Sequence, residues 1–266
     1  MQVLTSRLDW AAFIKGIAAA PCRVLLLDYD GTLAPFHVRP ELAVPYPEVG
    51  VALQEIMRAG ATRVVIVSGR PVDEIPPLLR LDSQPEIWGS HGRERLFPDG
   101  RRSIQEVSGA AQRALKEAAR AAEGTLVEGG RLEKKLASVA LHWRGLGHAQ
   151  ARVLRERTML LWQRIAADEA LEILAFDGGL ELRATGCNKQ YAVESVLAET
   201  PAGCAAAYLG DDVTDEDAFH AIAPHGVAVL VRPEFRETAA DVWIQPPGEL
   251  VSFLRHWCVQ PREVPA

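Results

Sequence analysis

The sequence predicts an α/β fold, in which a three-layer core domain with a mostly parallel sheet carries a second, inserted α+β domain. Five short apolar runs have the length and flanking residues of buried parallel strands. Helical patterns lie between most of these runs, and such alternation is typical of parallel sheets. The middle of the chain has a different pattern, which indicates a separate domain.

The core elements form two groups, one on each side of the insertion. The predicted strands occupy residues 24–27, 64–67, 205–209, 227–231 and 241–244. The predicted helices lie around residues 46–59, 189–199, 216–221 and 235–240. In parallel sheets the loops at the carboxyl ends of the strands form the ligand crevice. We therefore expect the polar segments that follow three of these strands to meet at one edge of the sheet.

The insertion is predicted to be an antiparallel sheet with helices on one face. Its elements are a helix with apolar positions between residues 111 and 122, strands at 125–128 and 137–143, a helix at about 149–167, and strands at 171–176 and 180–183. Asp177-Gly178-Gly179 is a strong hairpin signal between the last two strands. The sequence thus predicts a core of residues 1–98 and 187–266 with an inserted domain at 99–186.

Composition narrows the class of protein. The 266 residues include 35 acidic and 29 basic side chains, giving a formal charge of −6. This balance argues against a protein that binds nucleic acid by neutralising phosphates. No apolar run is long enough to span a membrane, and the first twenty residues fit an amphipathic helix better than a signal peptide. We expect a cytoplasmic monomer that binds neither nucleic acid nor membrane.

The four cysteines, Cys22, Cys187, Cys204 and Cys258, are widely spaced and form no CxxC pair. This pattern predicts reduced thiols that serve as small buried hydrophobes, with no disulfide framework and no zinc site.

The strongest chemical signal is Asp28-Tyr29-Asp30-Gly31-Thr32, directly after the first predicted strand. Residues two apart on a strand point to the same side, about 6.6 Å apart along the backbone. Two neighbouring carboxylates repel each other, which favours binding a divalent cation or sharing a proton. A pair of helix-cap aspartates is the plainer interpretation. A calcium loop is excluded because its twelfth position would be Arg39.

A second acidic segment, residues 210–217, follows the third predicted strand. It contains Asp211, Asp212, Asp215, Glu216 and Asp217, and oxygen ligands of this kind suit Mg²⁺. The alternative is an acidic helix start favoured by the helix dipole, and the segment alone leaves the two interpretations open.

Two weaker signals offer phosphate-binding donors. Ser68-Gly69-Arg70 follows the second predicted strand, and Gly186-Cys187-Asn188-Lys189 precedes a predicted helix. Hydroxyl, ammonium and backbone N–H donors at such positions readily bind phosphate, although similar pairs are common in turns and caps.

In this order, the four motifs resemble those of the haloacid dehalogenase-like phosphatases. A closer resemblance is to the trehalose-6-phosphate phosphatases, and it extends from about residue 24 to 220. The segments that carry it are Ser68-Gly69-Arg70, Gly89-Ser90-His91-Gly92-Arg93-Glu94, Leu132-Glu133-Lys134-Lys135, Ala140-Leu141-His142-Trp143-Arg144, Glu181-Leu182-Arg183 and 210–216. The resemblance implies a Rossmann-like core with a mobile cap domain inserted after the second motif.

The resemblance also implies a role for each core motif. Asp28 is expected to be the nucleophile, and Asp30 the general acid and then the base. Mg²⁺ is the implied cofactor, bound by Asp28, the Asp30 backbone carbonyl and Asp211. Asp212 and Asp215 are expected to support these ligands or to bind the cation through water. The residues expected to bind the phosphoryl group are Ser68, Gly69 and Lys189.

A sugar phosphate is the implied substrate, and charged side chains are suited to its hydroxyl groups. The expected substrate-binding residues are Glu133, Lys135 and Glu181 in the cap, with Arg70, His91, Arg93 and Glu94 in the core. For Arg70, pairing with a core carboxylate is an equal alternative. His142 and Arg144 are interpreted as structural residues more readily than as substrate contacts, and Trp143 as a core residue.

The chain departs from the family pattern next to the phosphate motif. Ala184-Thr185-Gly186-Cys187 replaces the usual Pro-Arg-Gly-(Thr/Ser), and Gln190 replaces a glycine. Specificity for the disaccharide is therefore less firmly implied than the reaction type. The alternatives are the same chemistry on a glucosylglycerol, sucrose or mannosylglycerate phosphate, a phosphomutase, or a sugar-phosphate sensor without catalysis.

Overall fold

The computed structural model describes residues 1–260 apart from residues 136, 168, 169, 177 and 187. The chain divides into two compact units, Met1–Ile104 with Asn188–Ala266, and Gln105–Cys187. The first unit corresponds to the predicted core and the second to the predicted insertion, with boundaries one to six residues away. Asp177 of the predicted hairpin turn and Cys187 lie outside the described residues.

The described elements alternate between strands and helices over most of the chain. The strands are β1 (Gln2–Val3), β2 (Arg23–Leu27), β3 (Arg63–Val67), β4 (Glu86–Gly89), β5 (Glu94–Leu96), β6 (Arg102–Ile104), β7 (Arg131–Lys134), β8 (Ser138–His142), β9 (Leu171–Phe176), β10 (Gly179–Ala184), β11 (Ala205–Gly210), β12 (Val227–Val231) and β13 (Val242–Ile244). The helices are α1 (Trp10–Ala19), α2 (Pro47–Ala59), α3 (Ile75–Leu79), α4 (Gly109–Glu123), α5 (His148–Ala166), α6 (Lys189–Ala198), α7 (Glu216–Ile222) and α8 (Gly248–Arg255). None of the helices described here combines the length and apolarity needed to cross a membrane.

The first unit is built on one mixed sheet in the order β1-β13-β12-β11-β2-β3-β4-β5-β6. Its six central strands, from β13 to β4, are all parallel to one another. Antiparallel strands β1, β5 and β6 extend the two edges. The predicted α/β class with a mostly parallel sheet is therefore confirmed. The chain leaves β2 in one direction and returns beside it as β11, so the strand order reverses between these two strands.

After Arg23, strand β2 is apolar because both of its faces are covered. Leu25 and Leu27 belong to the core cluster on one face of the sheet, and Val24 and Leu26 to the cluster on the other. All four are at least 98% buried. Burying such a side chain contributes roughly 1.5–3 kcal/mol, so β2 is a rigid base for the residues that follow it.

The second unit has an antiparallel sheet in the order β7-β8-β10-β9. Leu141 pairs with both Leu132 and Leu180, and these side chains pack with α4 and α5 in one core. The next row on the strands, Glu133, Ala140 and Glu181, faces the other way because side chains alternate along a strand. The predicted arrangement of helices on one face agrees with this core.

Two predicted elements are wrong. Residues 125–128 form no strand, because Thr125 ends α4 by donating its backbone N–H and its hydroxyl to the Ala122 carbonyl. Residues 235–240 form no helix. There the Ala239 N–H and the Thr238 hydroxyl bind the Glu216 carboxylate, which holds the segment in an irregular conformation.

The prediction of reduced thiols is wrong for Cys22 and Cys204, and the prediction of burial is wrong for Cys258. Cys22 and Cys204 form a disulfide with a Cα–Cα distance of 4.6 Å, and Cys258 is exposed. Cys22 immediately precedes β2 and Cys204 immediately precedes β11. These parallel strands pair with Arg23 opposite Ala205, so the residues before them are also neighbours. Sequence spacing could not reveal this pairing because it depends on the sheet order.

Candidate functional site

The carboxyl ends of β2, β3 and β11 bring three polar motifs to one edge of the sheet. Strand β2 lies between β3 and β11, and all three are parallel. Asp28 follows β2, Ser68 follows β3 and Asp211 follows β11. This is the meeting of polar segments that the strand pattern predicts.

Asp28 is buried and has a partner on each carboxylate oxygen. Lys189 Nζ donates to Asp28 Oδ1 at 2.6 Å, and Thr32 Oγ1 donates to Asp28 Oδ2 at 3.0 Å. Lys189 is the first residue of α6, and the Asn188 side chain caps this helix by accepting the Tyr191 N–H. The cap therefore fixes the start of the helix from which Lys189 reaches Asp28.

Asp215 accepts hydrogen bonds from four donors at the site. Its Oδ1 accepts hydrogen bonds from Lys189 Nζ at 2.7 Å and from the Tyr208 hydroxyl at 2.6 Å. Its Oδ2 accepts the backbone N–H groups of Asp211 and Asp212. Asp215 is fully buried. By accepting these four hydrogen bonds, Asp215 fixes the Lys189 ammonium group relative to the backbone of Asp211 and Asp212.

Asp211 lies against the glycine turn that follows β2. Gly31 has φ +91°, and a Cβ at this position would lie 2.2 Å from an Asp211 carboxylate oxygen. Glycine is required here both for its backbone conformation and for the space it leaves. Asp212 caps the short 3-10 helix Val213–Asp215 and is less buried than Asp211.

The carboxylates of Asp28, Asp211 and Asp215 form a buried acidic cluster, in which one oxygen from each lies within 4.8 Å of the others. Lys189 is the single ammonium bound to them among the contacts described. Burial raises the pKa of Asp28 to about 7 against the opposing charge of Lys189. Burial and the neighbouring carboxylates raise the pKa of Asp211 well above its usual range. Hard oxygen donors with excess negative charge fit a divalent cation such as Mg²⁺.

Asp30 is bound by Arg70 through both carboxylate oxygens. Arg70 Nε donates to Asp30 Oδ2 and Nη2 donates to Asp30 Oδ1, each at 2.6 Å. The Asp30 side chain is 28% exposed and that of Arg70 is 11% exposed. Of the two alternatives that the sequence leaves open for Arg70, the structure has the one in which it pairs with a core carboxylate.

The Ser68 motif is fixed by the loop that follows β4. The backbone of Ser68 bonds the Trp88 carbonyl and the His91 N–H, while Ser68 Oγ accepts the Arg70 N–H at 3.1 Å. A Cβ at Gly69 would lie 2.6 Å from the His91 ring. The imidazole therefore packs directly on the Gly69 backbone, beside the predicted phosphate-binding residues.

Arg93 and Glu94 lie in the same loop. Arg93 is buried, at 5% exposure. The Glu94 carboxylate accepts the Val72 N–H at 3.1 Å and the Ser90 hydroxyl at 3.0 Å. Glu94 thus ties two loops of the first unit together, which is a structural task that the sequence did not indicate.

The three predicted sugar-binding residues of the second unit lie in one cluster. Lys135 Nζ is 3.7 Å from Glu181 Oε1 and 4.0 Å from Glu133 Oε1. Ser138 Oγ donates to Glu181 Oε1 at 2.6 Å. The Glu181 side chain is 2% exposed, and that of Glu133 is 29% exposed. The sequence therefore identified residues that the fold brings together.

His142 belongs to this cluster through Glu133. His142 Nε2 lies 2.7 Å from Glu133 Oε2, and its ring meets Phe176 edge to face. Burial alone would raise the pKa of Glu133, but the hydrogen bond to His142 and the charge of Lys135 lower it to about 2. Arg144 is exposed, and Trp143 packs on the core of the second unit, as predicted.

Two arginines that the sequence analysis did not identify bind the backbone of residues 211 and 212. Arg236 donates to the backbone carbonyls of Asp211 and Asp212, and Arg232 also donates to that of Asp211. The sequence analysis also missed Tyr208, whose hydroxyl donates to Asp215. This contact could have been predicted, because a tyrosine hydroxyl inside a buried strand requires a hydrogen-bond partner.

The family model described as Trehalose-phosphatase matches residues 26–241. The trehalose-phosphate phosphatase of Mycobacterium marinum is 31% identical over 245 residues, covering 88% of this chain and 60% of that protein. The chain spans about three fifths of the length of the first curated relatives it matches.

Solved structures agree with this match. The C-terminal domain of Candida albicans trehalose-6-phosphate phosphatase has a TM-score of 0.82 at 19% identity, covering 97% of this chain and 99% of that one. A haloacid dehalogenase-like hydrolase from B. subtilis has a TM-score of 0.60 at 15% identity, covering 88% and 99%. At these identities the likeness concerns the fold, which is that of haloacid dehalogenase-like hydrolases. Because the family model matches most of the chain, the protein belongs to the trehalose-phosphatase family.

Proposed function

We propose that this protein is a Mg²⁺-dependent phosphatase that hydrolyses trehalose 6-phosphate to trehalose and phosphate through an aspartyl phosphate. The observation that carries the proposal is the buried contact of Asp28 with Lys189, beside the carboxylates of Asp211 and Asp215. A carboxylate suited to nucleophilic attack, an ammonium group suited to phosphoryl oxygens and oxygen donors suited to a metal lie together at one edge of the sheet, in a member of the trehalose-phosphatase family.

In the first half-reaction an Asp28 carboxylate oxygen attacks phosphorus in line with the ester bond. The bond between phosphorus and the sugar oxygen breaks, and its electron pair stays on that oxygen, which takes a proton from the Asp30 carboxyl group. Asp28 becomes an aspartyl phosphate and the sugar leaves. Covalent catalysis of this kind divides one difficult step into two easier ones.

In the second half-reaction a water oxygen attacks the same phosphorus and gives a proton to Asp30, which now acts as the base. The bond between phosphorus and Asp28 breaks, and its electron pair returns to the carboxylate. Phosphate leaves, and Asp28 and Asp30 are restored. The sum is one ester and one water converted into one sugar and one phosphate.

Lys189, Ser68 and the Gly69 backbone would hold the phosphoryl oxygens during both steps. The hydrogen bonds of Lys189 to Asp28 and Asp215 support this role, because they hold its ammonium group beside the proposed nucleophile. Asp28, the Asp30 backbone carbonyl and Asp211 would bind Mg²⁺. Asp212 and Asp215 would support these ligands or bind the cation through water. When bound, this cation supplies positive charge that reduces repulsion between the carboxylate and the phosphoryl group.

For the sugar, we propose that the cluster of Glu133, Lys135 and Glu181 in the second unit binds hydroxyl groups. For the first unit, we propose that His91 and Arg93 bind substrate. Two carboxylates and one ammonium group within 4.0 Å offer both acceptors and donors, as a disaccharide requires. We include Glu94 in this proposal, because its carboxylate accepts two hydrogen bonds within the first unit and retains acceptor sites for a hydroxyl group.

The test is phosphate release from a panel of sugar phosphates, measured with Mg²⁺ and after chelation. We expect trehalose 6-phosphate to give the highest kcat/KM and chelation to abolish activity. Asp28→Asn should lower activity below detection, whereas Asp82→Asn, which changes an exposed aspartate paired with Arg58, should retain it.

Preference for another sugar phosphate would overturn the disaccharide assignment and leave the reaction type standing. Phosphate release that continues unchanged in Asp28→Asn or after chelation would contradict the proposed mechanism. Tight sugar-phosphate binding without turnover would contradict the assignment as an enzyme.

A further inference from the structure

We propose that Arg70 is a positioning residue for Asp30, and that it acts on the reaction by orienting the Asp30 carboxylate rather than by binding substrate. This inference rests on the proposed function, in which Asp30 transfers the proton to the leaving sugar. The geometric basis is the pair of 2.6 Å hydrogen bonds from one guanidinium group to both Asp30 oxygens.

Arg70 is itself fixed by its backbone. Its N–H donates to Ser68 Oγ at 3.1 Å, and its carbonyl accepts the Ser90 N–H at 2.7 Å. Its guanidinium carbon lies 5.6 Å from the centre of the Tyr29 ring, and the Tyr29 hydroxyl is bonded to the Ala43 carbonyl. The guanidinium group therefore projects from a fixed loop onto a fixed ring, so it can serve as a stationary reference.

Asp30 requires a partner that fixes the orientation of its carboxylate. It follows β2 by three residues, just before the Gly31 turn, and its side chain is more exposed than that of Asp28. Both hydrogen bonds described for its carboxylate come from Arg70. A fork that bonds both oxygens fixes the plane of the carboxylate as well as its position, which a single donor cannot do. Proton transfer requires this orientation because it depends on a short, aligned approach to the leaving oxygen.

Glu74 provides an internal comparison. Its Oε2 lies 3.5 Å from Arg70 Nη1, and its side chain is 52% exposed. This contact is longer, involves one donor and is solvent-exposed, so it contributes little to holding the guanidinium group. Removing the Glu74 charge should therefore leave the orientation of Asp30 unchanged.

The inference predicts a dependence on the leaving group. A sugar alkoxide is a poor leaving group and requires a proton from Asp30, whereas the p-nitrophenolate ion leaves without one. Misorienting Asp30 should therefore slow hydrolysis of the sugar phosphate much more than formation of the aspartyl phosphate from p-nitrophenyl phosphate. A residue that binds the phosphoryl group would affect both substrates alike.

The experiment measures kcat and KM of wild type, Arg70→Lys, Arg70→Gln and the control Glu74→Gln on trehalose 6-phosphate, and the single-turnover burst of p-nitrophenol from p-nitrophenyl phosphate. Arg70→Lys keeps the charge but cannot form the fork. We expect both Arg70 variants to lose ~10–100-fold in kcat on the sugar phosphate with little change in KM. The p-nitrophenol burst rate should change less than ~3-fold, and Glu74→Gln should match wild type on both.

A second measurement separates positioning from a general loss of structure. In the Asp30→Asn background, Arg70→Gln should cost nothing further on the sugar phosphate, because the group that Arg70 orients is already absent. Equal losses on both substrates, a rise in KM alone, or additive losses in the double variant would overturn the role of Arg70. Failure of wild type to hydrolyse any sugar phosphate would contradict the proposed function instead, and it would be evident before any Arg70 variant is compared.

Discussion

Lys189 and Asp28 lie 161 residues apart in the sequence, yet Lys189 Nζ is 2.6 Å from Asp28 Oδ1 and both side chains are buried. The contact joins the end of β2 to the start of α6. In the sequence, β2 precedes the second unit and α6 follows it. Because Lys189 also binds Asp215, one ammonium group links two of the three carboxylates in the acidic cluster. The site is therefore assembled only when both halves of the first unit are folded together.

Replacing Lys189 by Met should remove this link and lower kcat on trehalose 6-phosphate by roughly 10²–10³-fold, since a preorganised charge that stabilises the transition state is lost. Initial rates of phosphate release at saturating Mg²⁺ measure this effect. Lys134→Met, which changes an exposed lysine paired with Glu123, is the matched control and should retain activity. A loss below about tenfold for Lys189→Met would contradict the role given to its ammonium group.

Gly31→Ala should weaken Mg²⁺ binding, because the new Cβ would displace the Asp211 carboxylate. We expect the Mg²⁺ concentration for half-maximal activity to rise by ~10-fold or more. Gly100→Ala is the control, because Gly100 also has a positive φ, +84°, but faces open space. Both variants carry the backbone strain, so an equal Mg²⁺ requirement in the two would contradict the close approach of Gly31 to Asp211.

Glu181→Gln should impair recognition of the sugar and leave the phosphoryl chemistry intact. Its carboxylate is bound by Ser138 and lies 3.7 Å from Lys135, so the amide keeps the shape and loses the charge. We expect kcat/KM for trehalose 6-phosphate to fall ~10–100-fold, with no change for p-nitrophenyl phosphate. The control is Glu172→Gln, which changes a glutamate paired with Arg183. Parallel losses on both substrates would argue against a sugar-binding role.

Breaking the Cys22–Cys204 disulfide should destabilise the protein by roughly 2–4 kcal/mol, because the bond closes a loop between residues 182 positions apart. Urea unfolding of the Cys22→Ser/Cys204→Ser variant measures the free energy of unfolding, and Cys258→Ser should match wild type. If the double variant unfolds at the same urea concentration as wild type, the two sulfurs are not joined in the protein in solution.

Glu199 should contribute to stability in a defined pH range. Its hydrogen bonds with Arg95 and Arg63 lower its pKa from 4.5 to about 2. Because the folded-state pKa is the lower one, the contribution is complete above pH 4.5 and is lost as the pH falls toward 2. The difference in Tm between wild type and Glu199→Gln should therefore shrink across this range. A constant difference would contradict the assignment.

The sequence was sufficient for the parts of the fold that depend on local pattern. Strands β2, β3, β11 and β12 are apolar on both faces, so their composition alone identifies them as buried parallel strands. Strands β1, β4, β5, β6 and β7 contain no such apolar run and were not predicted. Strand β4 contains the buried Glu86, which becomes compatible with a sheet only when Arg63 and Arg95 pair with it.

The site residues follow a similar division. Asp28, Ser68 and Asp211 could be predicted because each ends a recognisable strand. The partner of Arg70 could not be predicted, because a substrate oxygen and the Asp30 carboxylate are chemically equivalent acceptors for a guanidinium group. The neighbours of Cys22 were also unpredictable, since they are decided by which strand lies beside β2. Such contacts are properties of the sheet order, which no local pattern contains.

The aspartyl phosphate can be trapped by an acid quench of the enzyme during turnover of trehalose 6-phosphate with Mg²⁺, followed by mass spectrometry of the peptide that contains Asp28. We expect a phosphorylated Asp28 in wild type and none in Asp28→Asn, which should also fail to release phosphate. Steady turnover of trehalose 6-phosphate by Asp28→Asn at a rate close to that of wild type would contradict the role of Asp28 as nucleophile.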